Sequence, residues 1–274
     1  MTAAAFLARL PMKAVLCERY GIENIQLKEV EKPKPEEGRV VLKVLASSLN
    51  VADFHSVHGG FTRLFTGLRG PKDPKVGTDV AGIVEAVGPN VTRLKPGDEV
   101  FGACPGACAE YASAKADRVV LKPPHVSFEQ AGAVGIGAIT ALQGLRDKGR
   151  IRAGQKVLIN GASGSVGTFA VQIAKAFGAE VTAVCSPRNV DQARSLGADH
   201  VIDYTKEDFA KNGQRYDVIF DLVTNHSVRA YRRCLNPGGR CVFIGFGFPR
   251  LSWLKLIGHL IGDPIRSRLG DRKF

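Results

Sequence analysis

The stretch Gln155-Lys-Val-Leu-Ile-Asn-Gly-Ala-Ser-Gly-Ser-Val-Gly-Thr-Phe-Ala-Val-Gln-Ile-Ala-Lys-Ala-Phe-Gly178 decides the fold. Residues 155–160 form a short apolar run with the character of a buried strand. A glycine-rich turn follows, Gly161-Ala-Ser-Gly-Ser-Val-Gly167. Beyond it Val166, Phe169, Ala170, Ile173, Ala174 and Phe177 recur at i, i+3, i+4, i+7, i+8 and i+11. That spacing is the apolar stripe of an amphipathic helix, and Gly178 ends it.

In the GxGxxG frame the turn reads Ala162, Gly164, Gly167, with alanine in the first place. A glycine pattern between a strand and an amphipathic helix has a physical use. Gly164 lets backbone approach a pyrophosphate, and Gly167 lets helix and strand pack closely. The helix start offers unpaired N–H groups and about half a positive charge to an anion. The alternative is a plain strand-to-helix turn. Gly161, Ala162, Ser163, Gly164, Ser165, Val166 and Gly167 are therefore the candidate cofactor-binding residues. An NAD site usually carries Asp or Glu at the end of the next strand, to hold the ribose. Here that end reads Val184-Cys-Ser-Pro-Arg188, without a carboxylate. The Ser186 hydroxyl and the Arg188 cation suit a 2′-phosphate, which favours NADPH. Arg188 is otherwise a solvated loop charge.

On the C-terminal side, strand patterns at 180–185, 200–203, 216–223 and 240–245 alternate with helical patterns at 190–196 and 227–235. Alternation of this kind implies right-handed crossovers and a parallel sheet, here of five strands where six are usual. On the N-terminal side, Ser127-Phe-Glu-Gln130 is a capping box that starts a helix running toward Arg150. Residues 12–125 read as all-β. Short runs at 12–17, 25–30, 40–45, 80–87, 99–101 and 118–121 are separated by turn clusters such as Lys32-Pro-Lys-Pro35 and Lys95-Pro-Gly-Asp98. That spacing predicts a small barrel or sandwich. Residues 56–75, rich in Gly and Pro, are expected as a long irregular segment of the kind that forms lids. The expected organisation is an extension at 1–11, a β domain at 12–126, a doubly wound α/β domain at 127–250 and a tail at 251–274.

The chain has 274 residues, 45% hydrophobic and 23% charged, a composition that excludes disorder, collagen-like repeats and a disulfide-dense scaffold. Its net charge is 38 − 26 = +12. Ten Lys/Arg against two Asp fall in 225–274, so most of the excess sits in the last fifty residues, read as exposed basic surface rather than a nucleic-acid site. The six cysteines are dispersed without a CxxC pair, and no secretory signal precedes them, which fits reduced thiols in the cytoplasm. Cys104 and Cys108 are four apart with no second ligand pair, so no metal is expected. No run of eighteen apolar residues suggests a membrane span. The apolar stretch 251–261 is interrupted by Lys255 and His259.

Four stretches together resemble the medium-chain dehydrogenase/reductase superfamily, in its zinc-independent quinone oxidoreductase branch. They are Ser48-Leu-Asn-Val-Ala-Asp53, Gly77-Thr-Asp-Val-Ala-Gly-Ile-Val-Glu-Ala-Val-Gly88, the glycine turn through Val171-Gln-Ile-Ala-Lys175, and Ser195-Leu-Gly-Ala-Asp-His-Val-Ile-Asp-Tyr204. The match covers residues 12–250. The resemblance implies a GroES-like β-barrel joined to a Rossmann domain. It also implies hydride transfer from NADPH to a quinone or to the β-carbon of an enone, with donors aimed at the carbonyl oxygen. In the zinc-dependent branch a Cys and a His bind the metal; the matching positions resemble Asn50 and Thr78, which are poor zinc ligands.

Carried over singly, Asn50 resembles an amide near nicotinamide and substrate, or is a turn asparagine. Thr140, in Gly137-Ala-Ile-Thr-Ala-Leu-Gln-Gly144, resembles a threonine at the nicotinamide ribose, or is a helix hydroxyl bonded to its own backbone. Tyr204 resembles a tyrosine on the 2′-phosphate side, and Gly245 a backbone approach to the nicotinamide. Asp53 and Asp79 are expected as structural hydrogen-bonders, and His55 and His58 as loop residues. In the family the chain continues past the fifth strand and returns to the barrel. A truncated product is therefore expected, or a tail that compensates at a homodimer interface. An impaired paralogue that binds nucleotide, with a tail contacting RNA or an anionic lipid surface peripherally, is the alternative. A zinc-dependent alcohol dehydrogenase with unusual ligands is a third.

Overall fold

The computed structural model describes residues 11–59, 63 and 67–244. The chain divides into two compact units, 1–136 and 137–274. Gly245, the basic tail at 251–274 and residues 1–10 of the extension lie outside the described residues.

In the first unit, β1 (Pro11–Cys17) and β2 (Ile25–Glu31) form an antiparallel pair. β3 (Arg39–Ser48), β4 (Asp79–Val87), β5 (Glu99–Ala103), β6 (Tyr111–Lys115) and β7 (Val119–Leu121) form an antiparallel sheet in the order β6-β3-β4-β5-β7. Alternation along the strands supplies the core. Val40 and Leu42, Val80 and Val84, Val100, Ala112 and Ala114, and Val119 are buried together. The register between β3 and β4 shifts between Val41 and Leu42 and between Val44 and Ala46. Such bulges bend a sheet and re-aim the residues at its end.

Two features depart from the sequence reading. His55 and His58 are not in a loop: they belong to helix α1 (Val51–His58). The cause is Asn50 at its start, whose N–H donates to the Asp53 carboxylate at 2.8 Å. That contact satisfies a donor the helix start would leave orphaned. β6 is the second, a strand whose buried positions are the small Ala112 and Ala114.

The capping box forms as expected. Ser127 N–H donates to Gln130 Oε1 at 3.0 Å and Gln130 N–H to Ser127 Oγ at 3.2 Å, opening α2 (Phe128–Leu142). The division between units falls within this helix, nearly three turns after the expected boundary. Its first part is tied to the β unit, because Ile136 N–H donates to Asp79 at 2.8 Å. A π-helical turn, Gln143–Gly149, follows α2.

The second unit holds β8 (Lys156–Asn160), α3 (Ser165–Ala176), β9 (Glu180–Cys185), α4 (Val190–Ser195), β10 (His200–Asp203), β11 (Tyr216–Asp221), α5 (Val228–Cys234) and β12 (Leu235–Phe243). The five strands are parallel in the order β10-β9-β8-β11-β12. Val157, Leu158 and Ile159 are all fully buried, as are Ile219 and Phe220, because both faces of the sheet are covered. α3 buries Gly167, Ala170, Val171 and Ala174; of the predicted stripe Ala170 and Ala174 are fully buried, while Val166, Phe169, Ile173 and Phe177 pack partly buried against the same core, and Gly178 follows in a left-handed turn. The chain begins at the central β8, winds outward to β10, then crosses back to β11. The crevice for a ligand in such a sheet lies where the winding reverses, here beyond the carboxyl ends of β8 and β11.

Candidate functional site

The glycine turn sits at that reversal. Gly161 has φ 93°, a conformation side chains disfavour. The N–H groups of Gly161 and Ala162 both donate to Val184 O, at 3.1 and 3.0 Å, which pins the turn to the end of β9. At Gly167 a Cβ would lie 2.2 Å from Gly161 O and 2.7 Å from Ala162 C. Glycine is required there by the approach of α3 to the turn.

Gly164 is different. It is exposed, its φ of −76° suits any residue, and a Cβ would find its nearest neighbour at 3.6 Å. The protein's own packing does not demand glycine at 164. No side chain caps the helix at this residue, so the first N–H groups of α3 lack a side-chain acceptor and have the dipole behind them. An absent side chain, open N–H donors and a positive helix end fit the pyrophosphate of a dinucleotide.

Of the rest of the predicted cofactor set, Ser186, Arg188 and Tyr204 stand at or beside the end of β9, and Gly245 lies outside the described residues. Ser186 follows β9, its Oγ accepting from Asn189 Nδ2 at 2.9 Å. Arg188 is exposed in the next short helical turn, without an ion-pair partner among the described residues. Tyr204, 60% exposed, donates its N–H to Cys185 O at 3.2 Å, which sets it beside the same strand end. Asp203, just before it, is held below the usual carboxylate range by the Thr205 hydroxyl and N–H. Burial pushes the Cys185 thiol up, with Asp203 adding to the effect. Thr140 lies half-buried on α2, one turn past Gly137, whose Cβ position is 2.9 Å from Ser165 Oγ at the start of α3.

A buried polar network behind the turn was absent from the sequence reading. Asn160, the last residue of β8, donates to Asp221 Oδ1 at 2.7 Å and to Asn225 Oδ1 at 2.9 Å. Asp221, fully buried, also accepts the Tyr231 hydroxyl at 2.6 Å and the Thr224 N–H at 3.1 Å. Burial, then the Asp221 charge, push the Tyr231 phenol well above its usual range. The signal was a polar residue closing each of two apolar strand runs.

In the first unit, Asp79 is fully buried and accepts from Ser48 Oγ (2.9 Å), Asn50 Nδ2 (2.9 Å) and Ile136 N–H. Thr78 Oγ1 donates to Asp53 at 2.8 Å. Asp53 and Asp79 are thus the hydrogen-bonding centres expected of them, and Asn50 and Thr78 are their donors. A cavity of about 310 Å³ borders this network, walled by Cys17, Asp53, Val57, Pro74, Thr78 and Pro105. Cys104, in the core, is pushed up to about 12, chiefly by burial. No group of His, Cys, Asp and Glu among the described residues could hold a metal ion, and none of their helices is long and apolar enough to cross a membrane.

Comparison with known proteins adds to this geometry. Residues 36–141 match the alcohol dehydrogenase GroES-like domain and residues 165–259 the zinc-binding dehydrogenase domain. The chain is 39% identical to a chloroplastic quinone-oxidoreductase homolog of Spinacia oleracea, over 89% of this chain and 79% of that protein. It is 38% identical to a 2-methylene-furan-3-one reductase of Solanum lycopersicum, over 77% of this chain and 57% of that one. A mycocerosic acid synthase-like polyketide synthase of Mycobacterium tuberculosis matches at 35% over 82% of this chain, which spans 11% of its length. Among solved structures, the quinone oxidoreductase from Coxiella burnetii superposes with a TM-score of 0.82 at 28% identity, covering 97% of this chain and 82% of that one.

Proposed function

Because the chain belongs to the medium-chain dehydrogenase/reductase superfamily as a quinone-oxidoreductase-like member, we propose that it reduces a quinone or an α,β-unsaturated carbonyl with NADPH, without zinc. The observation that carries this reading is Gly164, a glycine that the fold does not require, at an open helix start. When bound, the reduced cofactor supplies the hydride.

The roles of the chain's own residues follow. The N–H groups at the start of α3 and the turn 161–167 hold the pyrophosphate. Ser186 and Arg188 take the 2′-phosphate, with Tyr204 beside them, in place of the carboxylate that would hold a bare ribose. Thr140 orients the ribose on the nicotinamide side. One N–H of the Asn50 amide is spent on Asp79; the other is the donor to the acceptor's carbonyl oxygen, where negative charge develops. The two positions that resemble the zinc ligands, Asn50 and Thr78, are instead bonded to carboxylates, which supports chemistry without the metal. The apolar side of the cavity beside Asp53 suits a small carbonyl compound.

The test is oxidation of NADPH and NADH, followed at 340 nm, with a panel of quinones and enones and with a chelator present. Turnover with NADPH in preference to NADH, unaffected by the chelator, is expected. Turnover of simple alcohols that the chelator abolishes would overturn it.

A further inference from the structure

At the other end of the parallel sheet lies a second concave feature that the reductase reading does not use. It is a cavity of about 220 Å³ walled by Gly149, Arg150, Arg152, Gln155, Asp217 and Arg240, with Gly238 at its edge. These residues come from the segment before β8, the start of β11 and β12, the last strand of the sheet among the described residues. β8 separates them from the glycine turn by its whole length, about 16 Å.

Three arginines line this cavity, and none of them has an ion-pair partner among the described residues. The one carboxylate, Asp217, is already engaged: its oxygens accept the Lys156 N–H and the Asn236 amide, each at 2.8 Å. Gln155 holds the loop by accepting the Arg152 N–H at 2.8 Å. Arg150 has φ 51° and ψ 46°, the left-handed position that ends a helix and that glycine ordinarily fills. Like charges brought to one hollow repel one another unless an anion joins them. Planar guanidinium groups bind phosphoryl oxygens in pairs.

The geometry points to a second anion site, in which Arg150, Arg152 and Arg240 take a phosphoryl group. The ligand is a phosphorylated small molecule or the phosphorylated headgroup of a lipid. The site is independent of the cofactor: it lies at the amino ends of the strands, and the glycine turn at their carboxyl ends.

The test titrates inorganic pyrophosphate calorimetrically into the full chain at low ionic strength, with and without saturating NADPH. Binding that persists under NADPH and weakens at least tenfold in both Arg150→Gly and Arg240→Gln is expected. Arg150→Gly places glycine where the backbone favours it, so its melting temperature should hold or rise while pyrophosphate binding falls. The NADPH affinity of both variants should equal that of the wild type. Sedimentation with phosphatidylcholine vesicles containing phosphatidylinositol phosphate separates the two sources. Vesicle binding that depends on Arg150 assigns the headgroup, and pyrophosphate binding alone assigns a soluble ligand. Absence of both, unchanged binding in the variants, or complete displacement of pyrophosphate by NADPH would overturn the proposal. A chain that fails to bind NADPH yet binds pyrophosphate through these arginines would sink the reductase reading and leave this one standing.

Discussion

Two alanine substitutions in one turn should have opposite consequences. At Gly167 the new Cβ meets Gly161 O at 2.2 Å, Ala162 C at 2.7 Å and Ala162 Cα at 2.8 Å, all of them backbone. Ordinary contacts lie near 3.5 Å, so α3 must retreat by about 1 Å. Overpacking costs ~1–3 kcal/mol, and rigid backbone on every side puts this case at the top, ~3 kcal/mol. A fall in melting temperature on the order of 10 °C follows. At Gly164 the Cβ has only Gly161 O at 3.6 Å, and φ −76°, ψ 171° suits alanine. A gain from a stiffer unfolded chain opposes the loss of a good cap, leaving stability within ~1 kcal/mol. The methyl nevertheless stands where a pyrophosphate would lie, and NADPH affinity should fall at least tenfold, ~1.4 kcal/mol. Thermal melts without ligand and a titration of NADPH fluorescence measure the two effects. A Gly164→Ala chain that binds NADPH like the wild type refutes the reasoning, as does one that melts as low as Gly167→Ala.

Three further outcomes are expected. Arg188→Ser should weaken NADPH by about tenfold or more and leave NADH nearly unchanged, since a charge-assisted phosphate contact contributes ~1.5–3 kcal/mol; paired titrations read this directly. Tyr231→Phe removes the donor to buried Asp221 and should cost about 2 kcal/mol in chemical denaturation, with Asn160 and Thr224 still holding the carboxylate. Burial pushes the Asp199 carboxyl up, but bonds from Lys175 and the Val181 N–H outweigh it and hold it below its ordinary value. Its stabilising effect is therefore present above the unfolded value of about 3.9 and is lost as pH falls through the lower folded one. Between those two values the wild-type melting temperature should drop more steeply than that of Asp199→Asn, and below the folded one the two should fall in parallel.

The doubly wound half was legible because its signals are local. The stripe of α3, the run 156–160 and the alternation that follows each fit within one window of sequence, and the structure gives the five parallel strands they imply. In the β unit the signals were weaker. β6 buries alanines rather than β-branched residues, so its alternation carries little hydrophobic contrast. α1 buries only Asp53 and Val57, while Val51 and Phe54 are exposed, so it lacks an apolar stripe. Its one legible sign was the Asn50–Asp53 spacing of a capping box. The turn 161–167 could be read from its glycines. The network behind it could not, since Asn160 and Asp221 are 61 residues apart and meet only once β8 and β11 pair.

The most direct measurement of the central claim follows one atom. NADPH carrying deuterium at C4 of the reduced ring, on each face in turn, is given to the full chain with an enone, and the product is analysed by mass and position. Deuterium from one face alone, delivered to the β-carbon, is expected. Product without deuterium from either face, or no product while the cofactor stays reduced, would contradict it.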